Sequence, residues 1–302
     1  MKCLVSGANG FIGHRFVEIL LEKGIKPLLL LRNESYFEGQ NKIICDLSFD
    51  EINPKNLKDI DTVFHLASCQ NTRNISMMRR VNVEGTKRLI KACKEAEVKN
   101  FIFFSSVKAM GEITEQETDE GLLPEPESEY GRQKLLAEEV VLKSNLLNPV
   151  IVRLPPVYGK GCKGGIINLF KFIKKSPFIH CFSGANKRSM VYVDDVVYFA
   201  MKAANSQNTA GECFILTDGI VYSTKDMLKA MLDAACVENK KIMVKNFMLD
   251  YFMKKFLRIF WHYGYNSLYE SAYYSNKKAK NMLDFQPSST FFQAAHEICG
   301  DI

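Results

Sequence analysis

The chain has 302 residues, 47% of them hydrophobic, and a formal charge of +6 at pH 7. That length can bury one large α/β domain, or a large domain with a smaller partner, and no run of about eighteen apolar residues offers a membrane-spanning helix. The mild charge suits a phosphorylated substrate without requiring one; no zinc-finger spacing or basic helix points to nucleic acid, and the five histidines do not pair at metal-ligand spacing.

Lys2–Ser6 reads as a short apolar strand. Gly7, Ala8, Asn9, Gly10, Phe11, Ile12 and Gly13 follow at once, and Ile12–Glu22 reads as a helix that turns Phe16, Ile19 and Leu20 to a sheet. Strand, glycine turn and helix in this order form a dinucleotide cradle. Gly7 allows the tight turn, Gly10 lets the backbone approach a pyrophosphate, and Gly13 lets the helix lie close to the strand. The helix N-terminus offers N–H groups and positive potential to the phosphates.

Lys26–Arg32 is the second strand. Sheets of this type often end that strand in an acid that bonds the ribose 2′-hydroxyl. Here Leu31, Arg32 and Asn33 stand there instead. Arg32 can pair with a 2′-phosphate or stack on adenine, which favours NADP(H), with NAD(H) as the alternative. Lys42–Leu47 is a third strand, with Asp46 placed to meet the adenine amine and Leu47 beside it. Asp61–Ala67 is a stronger strand, and Leu66, Ala67 and Ser68 end it where the backbone should pass the cofactor. Arg79–Glu97 reads as one helix burying Leu89, Ile90 and Cys93, with Asn82 near its start holding a neighbouring loop. Phe101–Ser105 is a buried strand. The alternation predicts an α/β fold of the Rossmann type, a doubly wound parallel sheet.

Glu112–Glu129 is rich in acids and poor in apolar anchors, and reads as a loop bordering an active site. Tyr130 opens a helix to about Ser144. Val150–Leu154 is a strand ended by Pro155 and Pro156. The expected division is a cofactor-binding core over 1–154 and a smaller substrate-binding region over 155–302, with segments near 188–216 returning to the core. Gly159–Gly165 reads as a loop, Ile166–Lys175 as a helix, Met190–Val193 as a strand, and Asp194 as the cap of a helix toward Ala204. Glu212–Leu216 reads as a strand returning to the main sheet, and Thr224–Cys236, Ser275–Leu283 and Thr290–Cys299 as helices. The stretch 243–269 is aromatic and basic. It reads as a lid helix or subunit contact, with a membrane surface as the alternative.

Nine cysteines follow no paired spacing, and Cys3 lies within the first strand. They read as reduced thiols of a cytoplasmic protein, most of them small buried hydrophobes. Met1 and Lys2 run directly into that strand, so no cleaved leader is expected there.

Tyr130 and Lys134 are four apart and share a helix face. An ammonium beside a phenol favours the phenolate, so Tyr130 can exchange a proton with a substrate alcohol or carbonyl. Lys134 can also bond the nicotinamide ribose. Ser106 follows the strand that should end beside the nicotinamide ring and can donate to the same substrate oxygen. The three supply what hydride transfer asks of a protein: a positioned cofactor, a proton carrier and a second donor.

Taken together, Gly7-x-x-Gly10-x-x-Gly13, Asp46-Leu47, His65-Leu66-Ala67, Asn82-x-x-Gly85-Thr86, Ser105-Ser106, Tyr130-x-x-x-Lys134 and Arg153 with Val157-Tyr158-Gly159 resemble an extended short-chain dehydrogenase/reductase of the NAD-dependent epimerase/dehydratase family. The resemblance covers Cys3 to Pro287. It implies that Pro155 and Val157 border the cofactor and that the assembly is a homodimer. Ser105–Lys108 with Gly111-Glu112, and Arg188-Ser189 before Val193-Asp194-Asp195, are similar to the branch of UDP-N-acetylhexosamine 4-epimerases and nucleotide-sugar 4-ketoreductases that serves polysaccharide synthesis. That resemblance implies a nucleotide-sugar substrate, with Arg188 on its diphosphate and Lys108 beside it. Dehydratases of the family follow the active Ser or Thr with Asp-Glu; Val107 and Lys108 stand there instead. The leading expectation is NADP-dependent reduction of a nucleotide-linked 4-keto sugar. The alternatives are a UDP-sugar 4-epimerase that retains NAD, and a reductase of a small apolar or sterol-like ketone.

Overall fold

The computed structural model describes residues 1–33, 37–70, 74–114, 116–175, 179–181, 186–235, 242–244, 255 and 270–301. Its centre is a seven-stranded sheet built from β1 (Cys3–Ser6), β2 (Leu28–Leu31), β3 (Lys42–Ile44), β4 (Thr62–His65), β5 (Asn100–Ser106), β6 (Asn148–Leu154) and β10 (Cys213–Ile215). The short strands β7 (Val157–Tyr158), β8 (Ile179–Cys181), β9 (Val191–Tyr192) and β11 (Ile242–Val244) pair outside it. The sheet order is β10-β6-β5-β4-β1-β2-β3, and every pairing in it is parallel.

A parallel sheet is covered on both faces, so its strands are apolar on both. The two-residue period assigns the sides. Val5, Ile102, Phe104 and Val152 face one layer, with Phe16 and Leu20 of α1 (Phe11–Glu22) and Val197, Phe199 and Ala200 of α6 (Val193–Ala204). Leu4, Phe101, Phe103 and Ile151 face the other, with Leu89 and Cys93 of α3 (Gly85–Glu95) and Ala137 and Val141 of α4 (Glu129–Leu142). Each large apolar side chain buried this way contributes roughly 1.5–3 kcal/mol. A second core joins α5 (Gly165–Lys175), α7 (Thr224–Ala234) and α9 (Phe291–Gly300) through Phe170, Met231, Phe291 and Ile298, with Tyr158 and Tyr222. Two further α-helices among the described residues are α2 (Ile75–Arg79) and α8 (Lys277–Leu283).

β1 lies between β2 and β4, and the chain winds away from it in both directions. Such a sheet opens a crevice at the carboxyl ends of its strands where the winding reverses. Gly7 follows β1 there and Leu66 follows β4.

Two expectations change. The single helix over Arg79–Glu97 is α2, then a wide π turn at Arg80–Glu84, then α3. Asn82 lies in that π turn, and such turns favour functional sites. Asp194 does not cap α6. Tyr192 occupies the cap position, and Asp194 lies in the first turn. Its carboxylate takes the Arg15 guanidinium as a fork, 2.7 Å at Nε and 2.8 Å at Nη2. Arg15 sits on α1, so this pair fastens the glycine-turn helix to α6.

Candidate active site

The glycine turn fits a dinucleotide. Gly7 has φ +75°, and a Cβ on it would stand 2.7 Å from the Ala67 nitrogen. A Cβ on Gly13 would overlap the Gly7 carbonyl. These two glycines therefore let β1, β4 and α1 converge. Gly10 is exposed, and its N–H closes the turn on Gly7 O at 2.9 Å. No side chain caps α1 and no acid lies in its first turn, whereas Ser128, Ser223 and Thr290 cap α4, α7 and α9. An uncapped N-terminus at the crevice suits a pyrophosphate. Asn9 is exposed, and Phe11 and Ile12 are half-buried around the turn.

At the end of β2, Leu31 is buried while Arg32 and Asn33 are exposed. Asp46 turns into its own loop and accepts from the Ser48 N–H at 2.9 Å and from the Ser48 hydroxyl. Burial pulls its pKa upward, but the Ser48 bonds and the Arg32 charge outweigh burial and leave it lowered. Leu47 is buried under α3, where a Cβ on Gly85 would come within 2.9 Å of its carbonyl oxygen. Leu66 and Ala67 are half-buried and Ser68 is exposed. Asn82 fastens the following residue: its Oδ1 accepts from the Cys69 N–H at 2.7 Å and its Nδ2 donates to the Cys69 carbonyl at 2.9 Å. Pro155 is buried and Val157 half-buried beyond β6.

Ser106, Tyr130 and Lys134, the residues expected to handle the proton, come together near the ends of β5 and α4. Ser106 closes β5, and its Oγ accepts from the Lys108 N–H at 3.3 Å. Tyr130 is in the first turn of α4, which Ser128 caps through the Gly131 N–H at 3.1 Å. Gly131 lies hard against the Ser106 turn, because a Cβ there would overlap the Lys108 carbonyl oxygen. This contact brings the Tyr130 turn onto the Ser106 turn. Lys134 is buried one helical turn on, donates to the Phe104 carbonyl at 2.6 Å, and lies 4.1 Å over the Phe103 ring. Burial pushes its ammonium down to about 7, against the opposing pull of Glu138.

A strand-glycine-helix crevice beside a Ser, Tyr and Lys constellation is a family signature, and a match settles it: the model of the NAD dependent epimerase/dehydratase family covers residues 3–215. The chain belongs to that family. A similar curated protein is the N-acetyl-alpha-D-glucosaminyl-diphospho-ditrans,octacis-undecaprenol 4-epimerase of Escherichia coli O157:H7, 32% identical over 65% of this chain. The match spans 61% of that relative's own length. The UDP-glucose 4-epimerase of Vibrio cholerae is 28% identical, over 76% of this chain and 74% of its own. The crystal structure of a UDP-glucuronic acid 4-epimerase from Bacillus cereus in complex with NAD superposes with a TM-score of 0.81 at 22% identity. That superposition covers 100% of this chain and 98% of the other.

Sequence reasoning gave the epimerase/dehydratase member Arg153 and Tyr158 as family marks without a role, and passed over their partners. Arg153 forms a buried fork with Glu138, whose carboxylate also accepts from Ser105. Glu138 is four residues past Lys134, so its face on α4 was readable from spacing; its partner on β6 was not. Tyr158 is fully buried and donates to Asp218 at 2.8 Å. Tyr222 donates to the same carboxylate at 2.6 Å and accepts from the Phe291 N–H. Val157-Tyr158-Gly159 thus locks the second core together. Gly131 carried a signal too, since it directly follows the catalytic tyrosine candidate.

Arg188 is held by its backbone on both sides. Its N–H donates to Tyr222 O at 2.7 Å, and the next N–H, of Ser189, to Ala272 O at 3.1 Å. Ala272 and Tyr274 pack with Val107 and Met110, the residues just after Ser106. The Tyr274 hydroxyl is pushed up by burial; the charge of Arg188 opposes this, and those of Glu112 and Glu127 add to it. Lys108, half-buried, meets Glu112 at 3.2 Å. The described residues therefore place Arg188 and Lys108 on one patch with the acid-rich loop, beside the Ser106 turn. Apart from 243–244 and Lys255, the aromatic stretch 243–269, with the lid-helix expectation made for it, lies outside the described residues.

Proposed function

We propose that the protein inverts C4 of a UDP-linked sugar, using NAD. The observation that carries this is the packing of Gly131 against the Lys108 carbonyl, which draws the Tyr130 turn onto the Ser106 turn and supports a reading of Tyr130 as the one proton carrier and Ser106 as its fellow donor. Val107 and Lys108 follow Ser106 where dehydratases of the family carry Asp-Glu, which counts against elimination of water. One reversible proton carrier meets the needs of epimerisation. The names of the relatives support the same reading.

When bound, nicotinamide supplies a reversible hydride acceptor. The residues have to serve the sugar oxygen in both directions. Tyr130 takes the C4 hydroxyl proton as the carbonyl forms and gives it back as the inverted alcohol forms. Ser106 donates to the same oxygen throughout. Lys134 favours the tyrosinate that the first step needs. Arg188 would hold the diphosphate while the sugar turns its other face.

Incubation with NAD and UDP-glucose or UDP-N-acetylglucosamine, followed by proton NMR, tests the reading. The C4 epimer should appear, and Tyr130→Phe should slow it roughly 10²-fold or more while the dinucleotide still binds. Full turnover in that variant removes Tyr130 from the mechanism, and no epimer from any UDP-sugar removes the reading.

Arg32 favours a second reading, reduction of a nucleotide-linked 4-keto sugar by NADPH. It stands exposed at the end of β2 with no acid among Leu31, Arg32 and Asn33. Arg32→Ala should then weaken NADPH far more than NADH, by about 1.5–3 kcal/mol. Equal losses for the two would show that Arg32 does not read the 2′-phosphate.

A further inference from the structure

His65 closes β4 and is fully buried. Each ring nitrogen has a hydroxyl partner. Nδ1 is 2.6 Å from Ser6 Oγ, and Nε2 is 2.9 Å from Thr86 Oγ1. Two further bonds set the direction of the chain. The Ala67 N–H donates to Ser6 Oγ at 3.2 Å. The Thr86 hydroxyl donates to the Asn82 carbonyl at 2.7 Å. Thr86 has therefore spent its proton and receives one from Nε2–H, and the Ser6 proton turns to Nδ1. The network assigns a neutral ring protonated at Nε2. It begins and ends on backbone groups, so it holds a shape and carries no proton to the substrate.

That shape lies beside the cofactor crevice. Ser6 ends β1 and grips the loop at Ala67. Asn82, in the wide turn before α3, grips the same loop at Cys69, and the Ser68 hydroxyl donates to it at 3.3 Å. The loop Leu66–Cys69 is thus held at two points, and the imidazole links the two holders, directly to Ser6 and through the Thr86 hydroxyl to Asn82. The steric limit at Gly7, whose Cβ would strike Ala67, leaves this loop little room to drift.

We infer that His65 is a positioning residue for the dinucleotide: by spanning Ser6 and Thr86 it fixes the path of the Leu66–Cys69 backbone along the cofactor crevice. The inference rests on the dinucleotide part of the proposed function and is indifferent to the sugar. His65 touches neither substrate nor cofactor and acts through the loop.

Calorimetric titration of NAD and NADP into the cofactor-free protein tests it, with unfolding midpoints measured alongside. His65→Phe keeps a ring and removes both bonds. It should raise the Kd of the dinucleotide that the wild type prefers by about tenfold or more, the size of one lost buried hydrogen bond. His65→Gln, which keeps an N–H for Thr86, should fall between the two. Thr86→Val removes the far partner and provides a second route should His65→Phe fail to fold; it should weaken the dinucleotide in the same way. Phe285→Leu loosens the core between α6 and α8, where Phe285 meets Phe199 edge-on at 5.5 Å, and should lower the midpoint without moving the Kd. Wild-type affinity in folded His65→Phe or Thr86→Val overturns the inference, as does an equal loss of affinity in Phe285→Leu. A wild type that binds neither dinucleotide fails differently: it overturns the proposed function, and this inference with it.

Discussion

Arg153 of β6 and Glu138 of α4 form a fork in the core, with Nη2 to Oε2 at 2.7 Å and side chains 7% and 3% exposed. Two charges out of water earn little net stability, but breaking such a pair leaves one of them stranded. Arg153→Met should therefore destabilise the protein by about 3–5 kcal/mol. Arg153→Met with Glu138→Met should return most of that loss, since no charge is then left buried. Urea unfolding of the cofactor-free protein measures both. A single variant costing under about 1 kcal/mol would mean that water or another group already satisfies Glu138.

The same pair explains what could be read in the sequence and what could not. The glycine turn, the Tyr130–Lys134 spacing and the apolar strands are local patterns, and each element fell within a few residues of its place. Glu138 and Arg153 meet only because the fold lays α4 against β6. The turn at Arg80–Glu84 escaped because a π turn keeps the composition of a helix. Asp194 looked like a cap because caps and first-turn acids use the same residue types, and its actual partner, Arg15, lies 179 residues away.

Gly131 gives a second prediction. The Lys108 carbonyl that a Cβ would overlap is backbone and cannot swing aside as a flexible side chain would. Gly131→Ala should push the start of α4 off the Ser106 turn. A misplacement of about 1 Å at the reacting centre costs on the order of 10²-fold in rate. The glycine turn is on a different loop, so dinucleotide affinity should change little. Steady-state kinetics and a cofactor titration on the same sample check this. A variant with normal turnover would show that Tyr130 and Ser106 do not depend on that contact.

The acid side of the stability curve should carry the mark of His65. Burial lowers its pKa from the ordinary value, the charge of Lys134 acts in the same direction, and together they bring it to about 3. A neutral ring in the fold and a titrating ring in the unfolded chain have a definite sign. The contribution is full above about pH 6.5 and is lost progressively as pH falls toward about 3, because the unfolded state binds the extra proton. The unfolding free energy should thus fall from pH 6.5 to 5, with a slope of up to about 1.4 kcal/mol per pH unit from this group. His65→Phe should flatten that interval. Nitrogen NMR of the ring gives a direct reading: the Nε2–H tautomer should persist at pH 5.5. A ring that protonates near pH 6.5 in the folded protein would break the assigned network.

The last prediction is the diphosphate grip at Arg188. Its main chain is bonded to Tyr222 on one side, and the next peptide to Ala272 on the other. A change of side chain should therefore leave the local backbone in place. The patch it shares with Lys108 and Tyr274 adjoins the Ser106 turn, which is where a sugar presented to Tyr130 would trail its phosphates. A planar fork can take two phosphate oxygens at once, so Arg188→Ala should weaken UDP by about 1.5–3 kcal/mol. Arg188→Lys should recover only part, because an ammonium cannot reproduce the fork. Dinucleotide affinity should hold, since the glycine turn lies elsewhere. The acid-rich loop supplies the rival explanation. Glu112 and Glu127 act on the same Tyr274 hydroxyl as Arg188, and an arginine kept to neutralise them would serve the loop instead of the substrate. Calorimetry with UDP separates the two: a grip loses affinity in Arg188→Ala, whereas a neutralising arginine lowers the unfolding midpoint and leaves UDP binding as it was.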